Sequence, residues 1–323
     1  MAIKVYIRVD GNETSGLGHL VRCIALADML KNTFRIIFVC RQIPAQLVKQ
    51  LNSNNFDLIE IDDEASFFSK INAGDIVVLD GYHFDFAYQK MIKAKQSKLV
   101  CIDDLHDKNF AADLIINHVP GVRPEDYQAQ PYTKFALGLS FALLRDSFLK
   151  QARTNYTEKK QIKSVFVCFG GSDPKNLTEH TFAIVKSLNN FERICIVTGA
   201  AYSNIDSLKL AVAQDKRVIH HHAIDEQKML AVLKTADLAI VPASGVLFEA
   251  LTIKIPIITG WYINNQSIFI AEMTKYKQVI NANDFSEANL REAINYILHT
   301  QIEYDNVFDG HSGERINALF ENL

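Results

Sequence analysis

The sequence predicts an α/β protein built of two Rossmann-like domains facing each other across a cleft. Three observations carry this. Short apolar runs alternate with amphipathic stretches throughout the 323 residues, the pattern of parallel strands joined by helices packed on both faces of a sheet. The pattern starts afresh after the polar stretch Gln151–Lys163, which is nearly free of large aliphatics. A chain of this length also suits two domains of about 150 residues better than one.

The elements follow in order. In a first domain, residues 1–150, "IKVYIRV" (Ile3–Val9) reads as a buried strand. "GHLVRCIALADMLKN" follows with Leu20, Ile24, Ala27 and Leu30 at helical spacing. Phe34–Cys40 is a second strand, and a helix begins at Pro44, a favoured first helical residue. Asp75–Gly81, Lys98–Asp104 and Ala112–His118 are further strands. In a second domain, residues 163–323, Lys163–Gly171 is a strand leading to a helix from about Asn176. "RICIVTG", "KRVIHHH", "ADLAIVPAS" and "KIPIITG" are later strands, with "EQKMLAVLKTA" and "GVLFEALTI" as helices among them. The last forty or so residues carry little signal.

Composition excludes several function classes. A net charge of -3 gives no basic footprint for nucleic acid. Five cysteines (Cys23, Cys40, Cys101, Cys168, Cys195) form no CxxC pair, and four sit in or at the end of strand-like runs, as buried thiols of a reducing compartment do. No run approaches the roughly 18–20 apolar residues that span a bilayer, and the N-terminal strand is too short for a signal peptide. The expected location is the cytoplasm, with no membrane partner.

Ligands of such sheets bind beyond the carboxyl ends of the strands, so the loops there hold the candidate site residues. "FGGSDPKNLT" lets the backbone approach a ligand at Gly171 and Ser172, and the helix start favours an anion. Ser172 and Asp173 serve equally as plain helix caps. "VPASGVLFEAL" repeats the arrangement with Ser244 and Gly245, and Glu249 one turn on is placed either to bind a ribose diol or to sit exposed. Asn264, Asn265 and Gln266 follow the next strand; their amides suit sugar hydroxyls and phosphate oxygens, or simply cap a helix. In "HHHAID" adjacent histidines point to opposite faces and make a poor chelate, so no metal is expected there. The backbone at Ala223–Ile224 is better placed to read the edge of a base.

In the first domain, "DGYHFD" and "CIDDLHD" follow strands and are rich in Asp and His; a metal site would need ligands fixed from several elements, and Asp103 and Asp104 are instead expected to cap loops, a reading also open to Asp80. Tyr82 and His83 are pocket candidates. "DGNETSGLGHLVR" has the Gly16-Leu17-Gly18 turn of a phosphate cradle, but Val21 stands where a dinucleotide fingerprint has its third glycine. His19 instead falls in the first helical turn, where the dipole disfavours the imidazolium form and leaves the ring able to accept a proton. Asp10, ending the first strand, is placed to orient that ring, and Arg22 to brace the loop or a carboxylate. A structural His19 is the alternative.

The ordered set GxGHxxR (Gly16–Arg22), GGSD (Gly170–Asp173), SGVLFE (Ser244–Glu249) and NNQ (Asn264–Gln266) resembles the GT-B nucleotide-sugar superfamily, and within it the UDP-sugar hydrolases of pseudaminic acid biosynthesis. "RVD" (Arg8–Asp10), "CIDD" (Cys101–Asp104) and "GLSFALLRDSF" (Gly138–Phe148) add to the resemblance, which runs over most of the chain. It implies a GT-B fold. It also implies metal-independent, inverting hydrolysis of UDP-2,4-diacetamido-2,4,6-trideoxy-β-L-altropyranose to UDP and the free sugar, with no cofactor. His19 matches the base that activates water, and Tyr82 a tyrosine of the sugar pocket. Ser172, Ser244 and Glu249 match UDP-contacting positions; Asn265 and Gln266 match an Asn-Gln pair near the phosphates. One departure stands out: the family reads Asp-His-Tyr-Gly where this chain reads Asp80-Gly81-Tyr82-His83. Two alternatives share the architecture: a glycosyltransferase using a UDP-sugar donor, and a non-catalytic UDP-sugar-binding module.

Overall fold

The run Lys4–Val9 alternates its side chains between two cores, and for that reason becomes the central strand, β1, of its sheet. Val5, Ile7 and Val9 enter one core and Tyr6 the other, all buried. Arg8 is buried on the Tyr6 face and is tolerated because Glu64 and Asp10 pair with it, at 2.7 and 2.8 Å. The computed structural model describes residues 3–11, 17–154, 161–262 and 266–323, with the backbone alone at 266–268.

The chain forms two units. The first holds β1, α1 (Gly18–Leu30), β2 (Arg35–Cys40), α2 (Ala45–Ser53), β3 (Asp57–Glu60), α3 (Glu64–Phe68), β4 (Ile76–Asp80), α4 (Phe86–Lys93), β5 (Lys98–Ile102), β6 (Asn109–Phe110), β7 (Leu114–Asn117), β8 (Gln128–Ala129) and β9 (Lys134–Leu137). Its main sheet is parallel, in the order β3-β2-β1-β4-β5-β7-β9. The chain then runs through α5 (Asp146–Ala152) into the second unit. This comprises β10 (Ser164–Val167), α6 (Leu177–Lys186), β11 (Arg193–Thr198), α7 (Ile205–Val212), β12 (Val218–His222), α8 (Glu226–Lys234), β13 (Leu238–Pro242), α9 (Gly245–Thr252), β14 (Ile257–Gly260), α10 (Gln266–Met273), β15 (Val279–Asn281) and α11 (Glu287–His299). Its sheet is also parallel, ordered β12-β11-β10-β13-β14-β15. Each unit is thus the doubly wound α/β sheet expected. The strand order reverses between β1 and β4 in one unit and between β10 and β13 in the other, the switch points where such sheets open a crevice.

The structure moves the expected boundary. The division at 1–150 and 163–323 gave the C-terminus to the second domain, but the units are 1–146 with 311–323, and 147–310. The last helix, α12 (Ser312–Glu321), returns to the first unit, where Ile316 and Phe320 are buried and Phe320 meets Phe34 edge-to-face at 6.2 Å. The physical reason is apolar packing: Ile316 and Phe320 join the core that α1 and Phe34 build. Pro44 precedes α2 as its N-cap and does not lie inside it. All five cysteines are buried thiols. Among the described residues no helix is long and apolar enough to cross a membrane.

Candidate active site

His19 and Arg22 lie three residues apart on α1 and so share one face. Both reach Asp80, the buried last residue of β4, across the switch point of the first sheet. The His19 Nδ1 is 2.6 Å from Asp80 Oδ1, and Arg22 donates to both Asp80 oxygens, from Nε and Nη2, at 2.6 Å each. The Cys23 thiol donates from 3.4 Å. Arg22 also bridges outward, its Nη1 donating to Asp104 at 2.5 Å. The Tyr82 hydroxyl donates to the other Asp104 oxygen at 3.1 Å, and its ring meets the His19 ring edge-to-face at 5.0 Å. One arginine thus ties together acids from the ends of two neighbouring strands, β4 and β5.

The electrostatics follow from that arrangement. Burial works against a charge on Asp80, but the Arg22 guanidinium and the His19 ring overcome it and hold the carboxyl well below the usual range. Asp104 is lowered in the same way, burial opposing and Arg22 prevailing. His118, just after β7, is pushed down to about 4 by burial and then by the Arg22 charge, and accepts the Leu143 N–H at 3.4 Å. His19 Nδ1 thus faces both the buried Asp80 carboxylate and, at 3.0 Å, the Arg22 Nη2, and the tautomer decides which of the two it pairs with. His19, Asp80, Gly81, Tyr82, His83 and Asp10 line a cavity of about 670 Å3 at this edge of the sheet.

The expectation that Asp10 orients His19 is corrected. Its carboxylate pairs with Arg8 at 2.8 Å and accepts the Arg41 and Gln42 N–H groups at 2.6 and 3.2 Å, because the chain turning out of β2 places those donors over it. Asp80 takes the orienting place instead of capping a loop. Asp103 does cap, accepting the Leu105 and His106 N–H groups. Asp104 does not, since Arg22 and Tyr82 claim its oxygens. Arg22 braces carboxylates, as expected. Gly18 opens α1 with open space where a side chain would sit, so no contact among the described residues demands a glycine there. Thr14, Ser15 and Gly16 of the same loop lie outside the described residues.

In the second unit the two glycine loops occupy the switch point, following β10 and β13. In the first, Asp173 takes the capping alternative: buried and with a positive φ of 42°, it accepts the Leu177 and Thr178 N–H groups at 2.8 and 2.7 Å. The start of α6 therefore already holds an anion of its own, leaving Gly171 and Ser172 as the candidate contacts there. Among the described residues the start of α9 has no such occupant: Ser244 is extended and makes no side-chain cap, and Gly245 is exposed. Glu249 is buried, not exposed. The Ala223 N–H is taken by the Thr198 carbonyl at 2.8 Å, and Ile224 beside it is half-buried. His220 and His222 share a face of β12 and both contact the Thr198 hydroxyl. Asn264 and Asn265 lie outside the described residues, and of Gln266 only the backbone, at the start of α10, is described.

Asp80 and Asp104 are the functional candidates that sequence reasoning missed. The available signal was an acidic residue ending each of two adjacent, otherwise wholly apolar strands, "VVLD" and "VCIDD". Their shared partner, Arg22, is far away in sequence.

No protein-family model matches the chain. It is 27% identical over 270 residues to an uncharacterized protein of Methanocaldococcus jannaschii, a match covering 79% of this chain and 55% of that protein, so that the chain spans about half of that relative's length. It is 25% identical to the UDP-2,4-diacetamido-2,4,6-trideoxy-beta-L-altropyranose hydrolase of Campylobacter jejuni, covering 82% of this chain and 93% of the hydrolase. It is also 25% identical to the spore coat polysaccharide biosynthesis protein SpsG of Bacillus subtilis, covering 82% and 79%. The resemblance read from the motifs thus has a counterpart in whole-chain similarity. Among solved structures, MurG of Acinetobacter baumannii aligns with a TM-score of 0.65 at 11% identity, over 99% of this chain and 100% of that one. The MnaA–UDP co-structure from S. aureus aligns with 0.67 at 12%, over 100% and 96%. This likeness shows the α/β fold of the GT-B class.

Proposed function

We propose that this chain is an enzyme acting on a UDP-sugar, and that it hydrolyses the anomeric C–O bond with inversion to release UDP and the free sugar. The named C. jejuni relative supports the substrate class. The substrate we assign is UDP-2,4-diacetamido-2,4,6-trideoxy-β-L-altropyranose, in pseudaminic acid biosynthesis in the cytoplasm. The single observation that carries the chemistry is the 2.6 Å contact of His19 Nδ1 with buried Asp80.

With Nδ1 donating to Asp80, His19 Nε2 accepts a proton from water as the water oxygen bonds to the anomeric carbon. The bond from that carbon to the β-phosphate oxygen breaks, and its electron pair leaves with UDP. UDP is a stable anion, so the step needs neither a general acid nor a metal. In this reading the first unit, with Tyr82, Asp10, Gly18 and Arg22 around His19, handles the sugar and water. The second binds UDP. Backbone N–H groups at Gly171–Ser172 and Ser244–Gly245 stabilise the diphosphate, Asn265 and Gln266 assist them, Glu249 binds the ribose, and Ile224 reads the base.

The test is His19→Asn, assayed for UDP release and UDP binding. Loss of most turnover with unchanged UDP affinity is expected; undiminished turnover removes His19 from the mechanism. Anomer-resolved NMR of the first product checks inversion. Wild-type protein that frees no sugar without an acceptor identifies a transferase instead, and tight UDP binding without turnover of any UDP-sugar identifies a binding module.

A further inference from the structure

The cavity contains a second histidine that the reaction above does not use. His83 lines it opposite no partner: among the described residues neither ring nitrogen makes a hydrogen bond, and Nε2 lies 4.0 Å from Asp10, beyond hydrogen-bond reach. Its side chain is 58% exposed and lies on the cavity wall. Its position is nonetheless defined. The ring lies on Phe84 with centroids 4.0 Å apart, and Phe84 is buried against Tyr88 and Arg8.

Gly81 is what leaves room for that ring. A Cβ at position 81 would come within 3.0 Å of His83 Cε1, 3.2 Å of His83 Nδ1 and 3.0 Å of Phe84 Cε2. A side chain at 81 would make both the exposed imidazole and the packed Phe84 ring give by a few tenths of an ångström, shifting the ring from its place over residue 81. Gly81 and His83 therefore form one device, a glycine that permits a histidine to lie across it at the cavity wall.

We propose that His83 is a specificity-determining residue of this cavity, hydrogen-bonding a neutral polar substituent of the bound sugar, a hydroxyl or an acylamino group, and that Gly81 holds its ring in place to do so. Asp10 and Asp62 on the same cavity argue against a carboxylate there. Burial and then the Arg8 charge lower the His83 proton affinity, which favours the neutral ring, a donor at one nitrogen and an acceptor at the other. The assignment rests on the UDP-sugar reading.

The experiment measures KM and kcat for the UDP-sugar substrate, and Ki for UDP, in wild type, Gly81→Ala, His83→Ala, the double variant and His83→Asn. Losing one hydrogen bond to the sugar raises KM about fivefold to tenfold in either single variant. Smaller changes in kcat and none in Ki for UDP are expected, because the contact is to the sugar. The double variant should be no worse than either single one, since both remove the same contact. His83→Asn, which keeps a donor and an acceptor, should recover part of the loss. An unchanged KM in His83→Ala, or a KM effect matched by an equal loss of UDP affinity, overturns the assignment. Should Gly81→Ala fail to fold, His83→Ala against His83→Asn decides alone. A wild-type protein that turns over no UDP-sugar defeats the activity itself and this assignment with it, an outcome distinct from an active wild type indifferent to His83.

Discussion

The Nδ1 of His19 sits 2.6 Å from Oδ1 of Asp80, a carboxylate with no exposure of its side chain. A helix and a strand whose residues stand 61 positions apart in sequence meet at that contact. In Asp80→Asn the amide can turn its NH2 toward the ring and give Nδ1 the acceptor role, leaving the proton on the wrong nitrogen. Turnover of the UDP-sugar should drop by about 10³–10⁴-fold, the scale known for such tautomer errors. UDP affinity, measured by calorimetry, should be unchanged.

Acid should destabilise the protein through the same cluster. Asp80 and Asp104 are held below the usual carboxylate range in the folded state, against burial and by Arg22. The unfolded chain therefore binds these protons first. Their stabilisation is complete above the unfolded value of about 4 and is lost as pH falls toward the lower folded values. Urea midpoints from pH 6 down to 3 should fall, and Asp104→Asn should show a shallower fall than wild type.

His118 gives a second, separate window. Its folded value is pushed down to about 4, against about 6.5 unfolded. Between those values the unfolded chain holds a proton that the folded protein excludes, so stability declines as pH falls from about 6.5 to about 4 and this contribution levels off below. His118→Gln keeps an acceptor for the Leu143 N–H and removes the titration. Its urea midpoint should be flatter than that of wild type across that window.

Gly199, after β11, backs the first glycine loop of the second unit. A Cβ there would lie 2.4 Å from the Gly171 Cα and carbonyl oxygen, which are backbone and cannot swing aside. Gly199→Ala should force the loop to shift, lowering stability by about 1–3 kcal/mol and weakening UDP binding. Thermal melts and UDP titration check both. Unchanged UDP affinity in a folded variant would take Gly171 and Ser172 out of the nucleotide site.

The sequence by itself determined the periodic architecture: which runs become buried strands, that the sheets are parallel, and that chemistry-bearing residues gather in loops after strand ends. Hydrophobic burial acts on local patterning, and the pattern is visible in one dimension. It also marked His19, Arg22 and Tyr82 as residues that follow strand ends, and the structure brings them together because β1 and β4 adjoin. Tertiary structure alone decided the pairings. Asp10 and Asp80 look alike in sequence, each ending a buried apolar strand. The turn after β2 gives one its Arg41 and Gln42 donors, while α1 crossing the switch point gives the other His19 and Arg22. Likewise the C-terminal stretch carries little signal in sequence, and only its packing against α1 and Phe34 assigns α12 to the first unit. Which donor reaches a carboxylate depends on how elements distant in sequence pack, and that packing sets the partners of every charged group at the site.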